Sequence, residues 1–113
     1  MKLFTKQQKE KLIKNYIHHK EYWNDEHPKY KEFKAVLKLF NPTGIGTWYL
    51  MNMHKDNDYC WGICHIYEWE IGSFSINELK GVNLPFGLKI ERDKFFKPVK
   101  ASELWTKLTK EGN

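Results

Sequence analysis

The chain has 113 residues, of which 41% are hydrophobic and 16% aromatic, and carries a net charge of +5. That length is close to the commonest size of one domain and buries enough surface to stand without a metal or disulfide framework. Eighteen of the 19 basic residues are lysine and only Arg92 is arginine; sequence-specific DNA reading leans on the bidentate guanidinium fork, so the composition argues against it.

Two cysteines, Cys60 and Cys64, are too few for a small secreted scaffold and point to a reducing compartment. No apolar run approaches the roughly 20 residues that span a bilayer. Met1-Lys2-Leu3-Phe4-Thr5-Lys6-Gln7-Gln8 leads into a charged helix and not an apolar signal region, so a cytoplasmic location is expected. Charge is uneven along the chain: residues 1–34 hold nine lysines against five acids, residues 35–85 three against five, and residues 86–113 seven basic groups against four. A basic shell around a mildly acidic middle either attracts polyanions or is simply a solvated surface.

In chain order, Thr5-Lys6-Gln7-Gln8 has the spacing of a capping box. Leu12, Ile13, Tyr16 and Ile17 then form one apolar stripe of a lysine-covered amphipathic helix over residues 6–19. Residues 18–31 show no clean period, and Asn24-Asp25 with Pro28 reads as a loop. The run Ala35–Phe40 stops at Asn41-Pro42-Thr43-Gly44-Ile45-Gly46, a strong turn signal; a helix through Tyr30, Phe33, Leu37 and Phe40 is possible, but the turn favours a strand. Thr47–Met53 and Tyr59–Tyr67 are the next strands, joined by Lys55-Asp56-Asn57-Asp58, and Glu70–Phe74 adds another.

Ser75-Ile76-Asn77-Glu78 opens a short helix that Gly81 can end. Asn83-Leu84-Pro85-Phe86-Gly87 is a turn and Leu88-Lys89-Ile90 an extended piece. Phe95, Phe96, Pro98 and Val99 read as a segment packed across the sheet. Ser102 is the expected cap of a last helix with Leu104, Trp105 and Leu108 inward. The predicted fold is α+β: one domain over 1–113, with a helix at 6–19, an antiparallel β-meander at 35–74, and short helices with extended segments at 75–113.

Several constellations invite chemistry. Cys60, Cys64, His65 and His54 suggest zinc, but residues four apart in a strand stand ~13 Å apart, and neighbours such as Cys64 and His65 take opposite faces. Gly44-Ile45-Gly46 opens a β-rich run and not a helix, so it is a hairpin turn and not a phosphate loop. Glu68 with Glu70, and Glu91 with Asp93, are same-face carboxylate pairs of a kind common on surfaces. Glu91-Arg92-Asp93 is either a structural ion pair or a polar interface anchor beside Phe95-Phe96. The basic first helix with Tyr16, Tyr22 and Trp23 could follow a nucleic-acid backbone, with rings stacking on bases, or could be a solvated face with aromatic packing beneath. No cofactor and no metal site is expected.

Five stretches together carry a resemblance: Leu39-Phe40-Asn41-Pro42 with Gly46-Thr47-Trp48-Tyr49; Trp61-Gly62-Ile63-Cys64; Gly72-Ser73-Phe74-Ser75 with Glu78-Leu79; Phe86-Gly87-Leu88; and Ile90-Glu91-Arg92-Asp93 followed by Phe96-Lys97-Pro98. In order and spacing over about residues 36–104 they resemble a family of short proteins of the domain-of-unknown-function kind carried by phages, plasmids and conjugative elements. Residues 18–34 depart from the pattern. Members of that family, or close relatives, have been described as anti-CRISPR inhibitors of type II-A Cas9, so the resemblance implies a stoichiometric, non-enzymatic binder of a host defence nuclease or of its guide RNA or DNA complex. A nucleic-acid-binding accessory of plasmid or phage maintenance is the alternative. Trp48, Tyr49, Glu91, Arg92, Asp93, Phe96 and Lys97, all within the resembling stretches, are the candidate binding residues. Nothing in the sequence implies a membrane partner.

Overall fold

The computed structural model describes residues 3–22 and 26–111; the sequence readings of Asn24-Asp25 as a loop and of Trp23 as a stacking ring lie outside them. Helix α1 (Lys6–Glu21) begins at the predicted cap. Thr5 Oγ1 accepts the Gln8 N–H at 3.1 Å and Gln8 Oε1 accepts the Thr5 N–H at 2.9 Å, so donors that the helix cannot satisfy are met reciprocally. The helix runs two residues past the predicted end because the Tyr22 N–H closes on the His18 carbonyl at 2.8 Å. Its last turn carries Lys20, whose positive charge suits the negative end of the helix dipole.

The inward face of α1 differs from the predicted stripe. Leu12 and Asn15 are buried and Ile13 packs on the core, whereas Ile17 is 51% exposed. Asn15 takes the inward position because its Nδ2 donates to the Met51 carbonyl at 2.9 Å.

Two short strands, β1 (Lys34–Ala35) and β2 (Leu37–Phe40), follow with only Val36 between them. The apolar run of residues 35–40 is therefore extended, and the helical alternative is set aside. Next come β3 (Thr47–Met53), β4 (Tyr59–His65) and β5 (Trp69–Ser75), forming the predicted meander with β2. A later strand, β6 (Glu91–Arg92), pairs antiparallel with the outer side of β2, giving the order β5-β4-β3-β2-β6. Asn41 builds the β2–β3 turn: its Oδ1 accepts the Thr43 N–H at 2.8 Å and its Nδ2 donates to the Ile45 carbonyl at 3.1 Å. Gly46 closes that turn at φ +140°, a conformation that glycine adopts without strain.

Strand alternation sorts the core into two layers. On one face Leu37, Leu39, Trp48, Leu50, Met53 and Cys60 pack with Leu12 of α1 and with Ile76 and Leu79 of α2 (Ile76–Lys80). On the other, Tyr49, Met51 and Ile63 pack with Ala35 and with Leu104 of α3 (Ala101–Glu111). Burying a Leu or Ile side chain fully is worth about 1.5–3 kcal/mol, and helices on both faces are what allow β3 to be apolar along nearly its whole length. The register slips between Leu50 and Asn52, so Met51 is an extra residue on β3, a β-bulge.

Two C-terminal readings change. Ser75 caps α2, its Oγ accepting the Glu78 N–H at 3.2 Å. Ser102, however, does not cap α3: it lies inside the first turn, and Glu32 Oε1 accepts its N–H at 2.7 Å from 70 residues upstream. Beside that contact β7 (Val99–Lys100) pairs antiparallel with β1. Phe96 and Val99 pack on the sheet as read, but Phe95 does not; its ring is 92% exposed. The architecture is α+β. Among the described residues no helix is long and apolar enough to cross a membrane.

Candidate functional site

The candidate residues divide between core and surface. Trp48 and Tyr49 are both buried, and as neighbours in a strand they take opposite faces, so they present no common contact surface. Trp48 belongs to the layer beneath α1 and Tyr49 to the layer beneath α3.

Tyr49 does meet other candidates. Its ring lies 5.6 Å from that of Phe96 and 6.2 Å from that of Trp69. The Lys38 ammonium sits 5.7 Å over the Tyr49 ring and 3.9 Å from an Asp93 carboxylate oxygen. Burial, and secondarily the Asp93 charge, push the Tyr49 phenol above its ordinary pKa. Asp93 is positioned by backbone contacts: its N–H donates to the Lys38 carbonyl and its Oδ1 accepts the Phe95 N–H, both at 2.9 Å. That second bond forms a tight turn which points the chain outward at Phe95. Glu91 and Arg92 are half-buried on β6, opposite Phe40 and Leu39, and Lys97 is exposed.

The surface so built is a shallow groove of about 440 Å³ along the β6 edge, floored by Phe40 and bounded by Lys38, Glu91, Arg92, Asp93, Lys94 and Phe95. Upstream, Phe86 stands at the tip of a single 3-10 turn, Pro85–Gly87, with φ +62° and 96% exposure. A bulky residue held in the left-handed region costs ~1–2 kcal/mol, and this ring recovers none of it by burial. The sequence reading missed Phe86 and Phe95 as displayed rings. The signal available was that each lies within two residues of turn chemistry, Pro85 and Gly87 in one case and Asp93 in the other.

A second surface surrounds the start of α1. Lys6, Lys9, Lys80 and Lys89 line a groove of about 620 Å³ over Leu3, Phe4 and Ile90, and no acidic side chain lines it. The Lys80 ammonium lies 5.8 Å over the Phe4 ring, and Lys89 donates to Asn83 Oδ1. Separated by more than seventy residues of sequence, these lysines come together only in the fold.

The thiols are poor nucleophiles. Burial pushes Cys60 up to about 12 and moves Cys64 in the same direction, so neither is a thiolate near neutral pH. Among the described residues no three His, Cys, Asp or Glu side chains gather as metal ligands would.

A family model described as protein of unknown function (DUF2958) matches residues 3–113. No curated protein and no solved structure matches the chain.

Proposed function

The chain belongs to the DUF2958 family, and from that premise we propose that it is a non-enzymatic protein that acts by binding another macromolecule. The observation that carries this reading is the display of Phe86 and Phe95, 96% and 92% exposed, on either side of the strand bearing the sole arginine. Aromatic rings and arginine are the residue types enriched at interface hot spots, where they dominate binding energy. A left-handed, solvated phenylalanine is a net cost to the free protein, and a partner that covers the ring recovers part of it.

The partner we propose is the type II Cas9 nuclease of bacterial defence or its guide complex, met in the bacterial cytoplasm, with the protein acting as an anti-CRISPR inhibitor carried by a mobile genetic element. Support comes from the resemblance of the five motif stretches, of which Phe86-Gly87-Leu88 holds one displayed ring and Ile90-Glu91-Arg92-Asp93 with Phe96-Lys97-Pro98 brackets the other, Phe95. Net charge of +5 makes whole-protein mimicry of DNA physically inconsistent, since a mimic must present the charge of a polyanion. The test is Cas9 cleavage in the presence of excess purified protein, across several type II-A orthologues. Inhibition that falls with Phe86→Asn and Phe95→Ala supports the reading; undiminished cleavage by every orthologue removes the Cas9 partner.

A second reading, a nucleic-acid-binding accessory of phage or plasmid maintenance, is favoured by the four-lysine groove. Its signature is affinity that falls linearly in log–log form with salt, with a slope that shrinks when Lys6 and Lys80 are neutralised. Absence of a shifted band with single- or double-stranded DNA or RNA at low salt removes it.

A further inference from the structure

Between the second half of α1 and the open ends of β3, β4 and β5 lies a cleft of about 370 Å³, within the size range of small-molecule sites. Strand register builds its floor. Asn52 pairs with Trp61, and Trp61 with Ser73, so the amide, the indole and the hydroxyl share one face of the sheet. The bulge at Met51 is what brings Asn52 onto that face. Helix α1 supplies the opposite wall through Tyr16 and His19. Tyr16 meets His54 edge-on with centroids 4.9 Å apart, and His19 meets Trp61 edge-on at 6.1 Å.

Asn52 is the informative residue. It is only 7% exposed, yet it lines the cleft, and because its amide atoms are not among the buried unsatisfied ones of the described residues, they reach solvent through the cleft. An occupant that displaces water from this amide without replacing its hydrogen bonds costs about 1–3 kcal/mol. A purely apolar occupant would incur that cost. A compact ion would lose its hydration against walls made of rings. A flat heterocycle with a donor beside an acceptor meets both demands, because an Asn amide offers one of each and pairs bidentately with such an edge.

We propose that this cleft binds the heteroaromatic base of a nucleotide, stacked against Tyr59 and Trp61 and read along its edge by the Asn52 amide. Stacking of a base on an aromatic side chain is worth about 1–3 kcal/mol. Lys20 lines the cleft and shares an adjoining hollow with Lys55 and Glu21, so a phosphate leaving the mouth meets two ammonium groups and one carboxylate. The base can come from a free mononucleotide or from a single strand threaded past the mouth. This inference stands apart from the binding surface at Phe86 and Phe95 and survives a negative Cas9 assay.

The test titrates the full chain with the four nucleoside 5′-monophosphates, with single-stranded tetranucleotides and with ribose 5-phosphate, following the Trp61 indole N–H by NMR. At least one base-bearing probe is expected to shift that signal saturably, and ribose 5-phosphate is expected to leave it unmoved. Asn52→Leu should weaken the binding by about tenfold or more. Tyr59→Ala should weaken it severalfold, and because Tyr59 is exposed that variant keeps its fold. Equal affinity for mononucleotide and tetranucleotide assigns the free nucleotide; tighter tetranucleotide binding assigns the strand. The proposal is overturned if no base-bearing probe moves the Trp61 signal at about 10 mM, if ribose 5-phosphate matches the nucleotides, or if Tyr59→Ala binds as the parent does.

Discussion

Replacing Asn15 with alanine should destabilise the protein by about 0.5–2.5 kcal/mol, although the residue sits in the middle of a lysine-rich surface helix. The Met51 carbonyl belongs to the extra residue of a bulge, outside the one-to-one pairing of β3 with β4, and the Asn15 amide donates to it at 2.9 Å. Removing the donor leaves a buried carbonyl unsatisfied, which costs about 1–3 kcal/mol, while alanine returns about 0.5 kcal/mol in helix propensity. For a chain of 113 residues the entropy of unfolding makes each kcal/mol about 4 °C in Tm, so the expected loss is about 2–10 °C. Urea unfolding followed by tryptophan fluorescence gives the same quantity as a shift in midpoint at constant slope.

Asn15→Asp separates lost hydrogen bonding from lost volume. It keeps the size but turns the donor into an acceptor facing an acceptor, so at neutral pH it should be worse than alanine. Protonation restores an O–H donor, so the folded-state pKa of that carboxyl is raised. Stability relative to Asn15→Ala is therefore retained at low pH and lost as pH rises through the raised value. An alanine variant within about 0.5 kcal/mol of the parent, or an aspartate variant no worse than alanine at pH 7, would refute this account of the bulge.

Gly62→Ala should abolish the native fold or cost more than about 4 kcal/mol, because its Cβ would stand 1.9 Å from the Tyr49 carbonyl oxygen, a backbone atom with nowhere to move; a near-UV circular dichroism spectrum like the parent's would contradict it. Phe86→Asn should leave Tm unchanged or raise stability by up to about 1 kcal/mol, since asparagine tolerates the left-handed conformation, and a fall in Tm would sink the strain argument. His19 has a pKa lowered first by burial and then by the His18 charge, and its Nδ1 is buried with no partner; the neutral ring is thus the folded form. Stability should be intact above the unfolded value of about 6.5 and decline as pH falls below it, with a shallower slope in His19→Gln when unfolding midpoints are compared across pH. The Glu32 carboxyl is held below its ordinary range chiefly by the Ser102 contact, so acid that protonates it should release the first turn of α3; faster amide exchange at Ser102 in Glu32→Gln is the check.

Local signals carried much of the fold. Thr5 and Gln8 fix the start of α1 within four residues of each other, and β3 was legible to its last residue because Asn41–Gly46 and Lys55–Asp58 punctuate it on both sides. What escaped the sequence were contacts between distant segments. Nothing near Asn15 marks it as buried, since its acceptor exists only once β3 bulges. The pairing of β6 with β2 joins residues with no shared pattern, and Glu32 gives no local sign that it completes a helix beginning at Ala101. For the candidate site, the period of two already sends Trp48 and Tyr49 to opposite faces, whereas the exposure of Phe86 depends on a turn whose hand the sequence does not announce.

The dependence of α3 on Glu32 and on the β1–β7 pairing sets an order of events during synthesis. Residues 34–35 cannot find Val99 and Lys100 until the ribosome has released them, so until then the half of the sheet that α3 covers, with Tyr49, Met51 and Ile63, waits uncovered. A nascent chain halted before that point would expose an apolar surface, and such a chain is the form that chaperones and proteases would meet first.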